Sequence, residues 1–185
     1  HIKDVARRIA LEGFVALAPD FLSPQGGTPA DEDKAREMFS SLDAAKTAAN
    51  GVATVEFLKN SEATNGKVGA VGFCWGGGTV NNLAIASPDL AAGVAYYGAQ
   101  PKDTAAIASI KAPLLLHYAG QDERINAGIK AYEEALKAAG KEFTVYIYDG
   151  AQHAFNNDTS EARYNKEAAD LAWGRTVAFF KEKLS

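Results

Sequence analysis

The stretch from Lys67 to Gly78, Lys-Val-Gly-Ala-Val-Gly-Phe-Cys-Trp-Gly-Gly-Gly, constrains this chain more than any other. Its first half, Val68, Ala70, Val71 and Phe73 with glycines between, is a short apolar run without a helical stripe, the pattern of a strand buried on both faces. It then turns at Gly72-Phe73-Cys74-Trp75-Gly76, a Gly-x-nucleophile-x-Gly pentapeptide with cysteine at its centre. That spelling fits a sharp strand-to-helix turn holding one side chain at its tip, the flanking glycines leaving room for close backbone packing. A helix is predicted from Trp75 through Ser87, stopped by Pro88. Its N-terminal N–H groups would face Cys74, where they lower a thiol's pKa and offer donors to an oxyanion. A lone cysteine between Phe and Trp also reads as a small buried hydrophobe, so the motif needs partners elsewhere in the chain.

Composition allows such a fold and removes several other functions. With 185 residues, 47% apolar and 23% charged, the chain can bury one sizeable core. Its net charge is −4 and its basic residues are scattered, which invites neither nucleic acid nor an anionic membrane surface. No apolar run approaches the ~18 residues of a membrane span. One cysteine excludes an internal disulfide and a cysteine-rich zinc site. The free thiol is best tolerated in a reducing compartment, so a cytoplasmic location is expected.

The rest of the chain alternates between the two hydrophobic periods. A helix is predicted from Ile2, with Val5, Ala6, Ile9 and Ala10 on one stripe and Gly13 closing it; Phe14 to Ala18 then reads as a buried strand ended by Pro19. Asp20 to Pro29 is a Pro- and Gly-rich loop long enough to border a pocket. Ala30 to Lys59 carries helical spacing as one long or two shorter helices, with Gly51 a candidate break. Strands are predicted at Ala92 to Gly98, Ala112 to Gly120 and Phe143 to Tyr148. Helical segments are predicted near Thr104 to Ser109, Ala127 to Ala139 and Ser160 to Leu184. The alternation implies a mostly parallel sheet with helices on both faces.

In open parallel sheets the chemistry collects at the carboxyl ends of the strands. Three ends carry candidates: Cys74; Asp122, after Gly120-Gln121; and His153, after Asp149-Gly150-Ala151-Gln152. Their order, nucleophile then acid then histidine, is one of the known triad orders. Chemically, the thiolate attacks an acyl carbon, the imidazole moves a proton, and the carboxylate fixes its tautomer. Glu123 rivals Asp122 for the last role, and the Gly-Gln turn favours Asp122. His117 lies inside a strand and reads as a satisfied core or edge residue. No metal-ligand spacing occurs, and Gly76 to Gly78 lack the Gly-Lys-Ser/Thr of a phosphate loop.

Gly72-Phe73-Cys74-Trp75-Gly76-Gly77, with Gly120-Gln121-Asp122 and His153-Ala154-Phe155, resembles the dienelactone hydrolase (carboxymethylenebutenolidase) family of α/β-hydrolases along essentially the whole chain. The resemblance implies a Cys74, Asp122, His153 triad that hydrolyses an ester or lactone through an acyl-enzyme without a cofactor, the Trp75 backbone N–H contributing to the oxyanion hole. It also implies an α/β-hydrolase-type sheet that is truncated at its N-terminus. Residues 1–185 would then be one domain lacking a strand and a His-Glu loop. The expected partners are a small ester or lactone, and a second copy of the chain or a complementing N-terminal segment. Alternatively, Phe14 to Ala18 would pair directly with the elbow strand.

The family's substrate-binding arginines are also missing. Asp20-Phe21-Leu22-Ser23-Pro24 and Asn156-Asn157-Asp158 stand in their regions, and Arg124, a surface residue by its pattern, is the one substitute near Asp122. The competing readings are a thioesterase or general carboxylesterase on the same residues, and a non-catalytic or domain-swapped fragment. A redox thiol is disfavoured because the chain holds no resolving cysteine.

Overall fold

A computed structural model describes all residues, 1–185. Four strands, β1 (Val68–Phe73), β2 (Leu90–Tyr96), β3 (Leu114–Ala119) and β4 (Phe143–Tyr148), form one sheet in the order β1-β2-β3-β4. The helices are α1 (Ile2–Leu11), α2 (Glu32–Ser40), α3 (Ala44–Lys59), α4 (Trp75–Ala86), α5 (Glu123–Asn126), α6 (Ile129–Ala138) and α7 (Lys166–Leu184). None is long and apolar enough to cross a membrane. Every pairing is parallel, so each strand must be reached by a crossover: α4 lies in the first, a 3-10 turn (Ala105–Ser109) in the second and α5 with α6 in the third, while α1 to α3 precede β1 and α7 follows β4.

The strand period divides the core in two. From β3, Leu114, Leu116 and Tyr118 pack with Val55 of α3, Leu83 of α4 and Leu136 of α6. Leu115 and Ala119 face the other way, toward Val5 and Ile9 of α1 and Ala172 and Phe180 of α7. All six β3 residues are buried, which is why the strand reads as an apolar run interrupted only by His117.

Near the carboxyl edge the register lines up Phe73, Tyr96, His117 and Tyr146 across the four strands. Their ring centroids are 4.6, 4.5 and 6.0 Å apart in turn. His117 is fully buried, with Nδ1 2.9 Å from the Tyr148 hydroxyl and Nε2 3.2 Å from Thr176 Oγ1. Desolvation, helped by the Arg175 charge, pushes its pKa down to about 3, so it is a neutral, satisfied core residue.

The N-terminal part departs from expectation. Phe14 to Ala18 is not a strand: its backbone makes no hydrogen bond, and Val15 and Leu17 are exposed while Phe14 and Ala16 are half-buried. It does not pair with β1, which stays at the sheet edge, so the rearranged sheet is excluded. Ala30 to Lys59 forms two helices, divided at Ser41 to Asp43, where the Asp43 carboxylate caps α3 by accepting from the Lys46 N–H. Gly51 is no break; it is buried inside α3, where an added Cβ would lie 3.1 Å from Leu83.

Further boundaries move: the strand expected at Ala92 to Gly98 is β2, Leu90–Tyr96. The predicted helix at Ala127 to Ala139 is α6, shortened, with α5 ahead of it because Asp122 caps an extra turn. The last helix starts at Lys166 rather than Ser160. Asn157 folds Thr159 into a turn, and Asn165 supplies the cap by accepting from Ala168 N–H at 3.1 Å.

Candidate active site

Backbone strain and close contact build the turn after β1. Cys74 has φ 54° and ψ −114°, outside the regions an ordinary side chain prefers. Its N–H donates to Tyr96 O at 3.0 Å, which ties the turn to β2. A Cβ on Gly72 would lie 2.1 Å from the Gly76 carbonyl oxygen, and one on Gly77 would lie 2.6 Å from Tyr96 O. Gly76 itself has open space around it, so the second steric glycine is Gly77 rather than the last residue of the pentapeptide.

In α4 the first intrahelical bond runs from Gly78 N–H to Cys74 O (3.1 Å), leaving the preceding N–H groups free. The first of them belongs to Trp75, the residue next to Cys74.

Two other strand ends meet the cysteine. After β3, Gly120 N–H donates to Tyr148 O (2.8 Å) and Gln121 N–H to Ala151 O (2.9 Å), so this turn and the one after β4 hold each other. Asp122, 7% exposed, caps α5 with Oδ1 and bonds His153 Nδ1 with Oδ2. Glu123 is an exposed residue of the first turn of α5. His153 Nε2 lies 3.1 Å from Cys74 Sγ. Its loop is anchored two residues later by Phe155, fully buried and packed at 5.0 Å against Tyr148 and 5.3 Å against Tyr97. The Tyr97 ring also lies 5.0 Å from the His153 ring.

The electrostatics follow from these contacts. The Cys74 thiol is held below its ordinary pKa of 9.0, first by the hydrogen bond with His153, then by the imidazolium charge, the Trp75 N–H and the Arg124 charge, against partial desolvation. His153 is raised above its ordinary 6.5, first by the bond with Cys74 and also by Asp122, again against desolvation. Both shifts favour a thiolate–imidazolium pair.

The surface around Cys74 has two characters. On the His153 side a cavity of about 540 Å³ is lined by Gln121, Asp122, Arg124, Gln152, His153 and Arg163, none of them apolar. Neither arginine has a carboxylate partner within 4.0 Å. Beside the elbow, the Trp75 ring, 40% exposed, meets Phe21 at 5.4 Å and Phe39 at 5.0 Å. No group of three or more His, Cys, Asp or Glu side chains is arranged to hold a metal ion.

The family model of the dienelactone hydrolases matches residues 1–184. The chain belongs to the dienelactone hydrolase family. A Methylorubrum extorquens protein provisionally named carboxymethylenebutenolidase is 35% identical over 98% of this chain and 67% of its own length. The Aquifex pyrophilus protein Usf is 37% identical over 100% of this chain and 82% of its own. Among solved structures, a Klebsiella pneumoniae protein provisionally named dienelactone hydrolase superposes with a TM-score of 0.85. It has 29% identity and covers 98% of this chain and 80% of that one. The fold is that of the α/β-hydrolases, and the dienelactone hydrolase family is one of hydrolases of esters and lactones.

Against this dienelactone hydrolase background, the structure brings Cys74, Asp122 and His153 into one hydrogen-bonded chain. It also puts Phe21, in the loop after Pro19, against Trp75, and it buries Asn156, three residues after His153. Arg163, Tyr97 and Phe39 escaped sequence reading. Arg163 belongs to no motif, and the two rings gain their place only through contacts between distant elements.

Proposed function

We propose that this protein hydrolyses a carboxylic ester or lactone through a thioester formed on Cys74. The observation that carries the reading is the chain of contacts from Cys74 Sγ through the His153 ring to the Asp122 carboxylate. In the first half-reaction the thiolate attacks the carbonyl carbon and the carbonyl electron pair moves to oxygen, where the Trp75 N–H stabilises it. The tetrahedral adduct collapses as the carbon–oxygen ester bond breaks, and His153 Nε2 gives its proton to the departing alkoxide. In the second half-reaction neutral His153 takes a proton from water, whose oxygen attacks the thioester. Collapse releases the acid and regenerates the thiolate. Asp122 holds Nδ1 protonated throughout and stabilises the imidazolium.

The test is hydrolysis of p-nitrophenyl acetate and a dienelactone by the wild-type chain and by variants. Cys74→Ala is expected to abolish turnover and His153→Ala to do nearly as much. Asp122→Ala should be milder, with a loss of about 10²–10⁴-fold. An ester hydrolysis that survived Cys74→Ala at full rate would overturn the proposal.

A further inference from the structure

The chemistry proposed above gives a bound ester a direction. With the acyl carbon on Cys74 Sγ, the leaving oxygen must face His153 Nε2, which protonates it, and the oxyanion must face the Trp75 N–H. The alcohol part therefore projects over His153 into the cavity that has no apolar lining. The remaining substituent, the acyl chain, is directed away from that cavity, and the exposed aromatic side chain next to Cys74 that does not line the cavity is Trp75.

The aromatic surface at Trp75 is assembled from three separate segments. Trp75 follows the elbow, Phe21 stands edge-on to it at 75°, and Phe39 is tilted at 55°. Phe21 is held in place because its neighbour Leu22 is fully buried and the Asp20 carboxylate closes the loop on Leu22 N–H (3.0 Å) and on Thr28 N–H and Oγ1 (3.2 and 3.0 Å). Phe39 comes from α2, none of whose residues is buried. Phe39 is half-buried outside both core clusters, and the aromatic contact it makes is with the Trp75 ring, one residue after Cys74.

Resting on the acyl-enzyme reading, we propose that Phe21, Phe39 and the Trp75 ring form an acyl-binding corner that selects esters of apolar, ring-bearing acids over acetates. The alcohol portion of the substrate points into the polar cavity beside His153.

The experiment compares kcat/KM for 4-nitrophenyl phenylacetate and 4-nitrophenyl acetate, each corrected for its spontaneous hydrolysis, so that the leaving group is constant. The wild-type chain is expected to favour phenylacetate by about tenfold or more, and Phe39→Ala and Phe21→Ala to bring the ratio within about threefold of parity. Phe39→Ala removes no buried side chain, and circular dichroism checks that it folds. Orientation is read from two isomers with similar leaving alcohols, methyl phenylacetate and benzyl acetate; the first should be the better substrate. Parity in the wild type, a ratio unchanged in both variants, or a preference for benzyl acetate would overturn the proposal.

If no ester is turned over, or if turnover survives Cys74→Ala, it is the acyl-enzyme reading that fails. The corner is then read by saturation-transfer NMR of 2-phenylacetamide on the Cys74→Ala chain. Binding that Phe39→Ala removes supports the corner, and binding that is absent or indifferent to Phe39 overturns it.

Discussion

Phe14-Val15-Ala16-Leu17-Ala18 and Leu114-Leu115-Leu116-His117-Tyr118-Ala119 are both short, apolar and bounded by turn residues, yet they end differently. The second has β2 on one side and β4 on the other, and all six of its residues are buried. The first has no strand beside it within residues 1–185. It lies extended over the α1 and α7 face, with the Phe14 ring 6.1 Å from Phe180 and alternate side chains in solvent. A strand is thus a relation between segments: apolar spelling makes one admissible, and backbone donors and acceptors on both sides make one form. The same contrast separates the elbow, where neighbouring backbones touch, from α2, none of whose residues is fully buried.

The strongest way to break this comparison is Gly72→Ala. The new Cβ would collide with the Gly76 carbonyl, a backbone atom that cannot move without undoing the turn, so a loss of about 3 kcal/mol or more is expected in denaturant melts. Near wild-type stability would mean that the elbow is looser than its contacts indicate. A matched pair sharpens the contrast between strand and non-strand. Val94→Ala, in the fully buried middle of β2, should cost about 2 kcal/mol, and Val15→Ala, 53% exposed, under about 0.5 kcal/mol. Equal losses would show that both segments bury their side chains alike.

The smallest effect concerns how much of the thiol's character comes from remote segments. Iodoacetamide alkylation of Cys74 should rise with pH through a midpoint below 9.0, because the folded site favours the thiolate. His153→Ala removes the largest cause and should move the midpoint up toward the ordinary thiol range. Arg124→Ala should move it up by less, since that exposed charge is screened. In catalysis, kcat/KM should rise as Cys74 loses its proton. It should fall again as pH passes through the His153 pKa, which lies above 6.5. An alkylation midpoint unaffected by His153→Ala would assign the thiol's acidity to the helix N-terminus and the Arg124 charge.

Much of the candidate site was legible because its members sit on local signals. Cys74 lies in a pentapeptide, Asp122 and His153 follow turn residues at the ends of predicted strands, and the chain order restricted their roles. The elbow strand, the helix after it and β4 were readable from period and from Gly and Pro punctuation. The helix-boundary errors trace to caps: Asn165 and Asp122 set the starts of α7 and α5 by hydrogen bonds that a hydrophobic period does not register. The break at Gly51 failed because glycine there serves close packing against Leu83, which spacing along one helix does not reveal.

By itself the sequence determined the alternation of strands and helices, the tight turn at Cys74 and the three candidate side chains, since periodicity, capping and turn preference act over a few residues. Only the tertiary structure decided that Phe14 to Ala18 stays unpaired, that Gly77 rather than Gly76 makes the close approach, and that Arg163 joins Arg124 in one cavity. It also decided that Phe21 and Phe39 meet over Trp75. Each of these depends on atoms brought together from distant parts of the chain, where hydrogen-bond partners and excluded volume are set by the packed core and no local pattern carries the information.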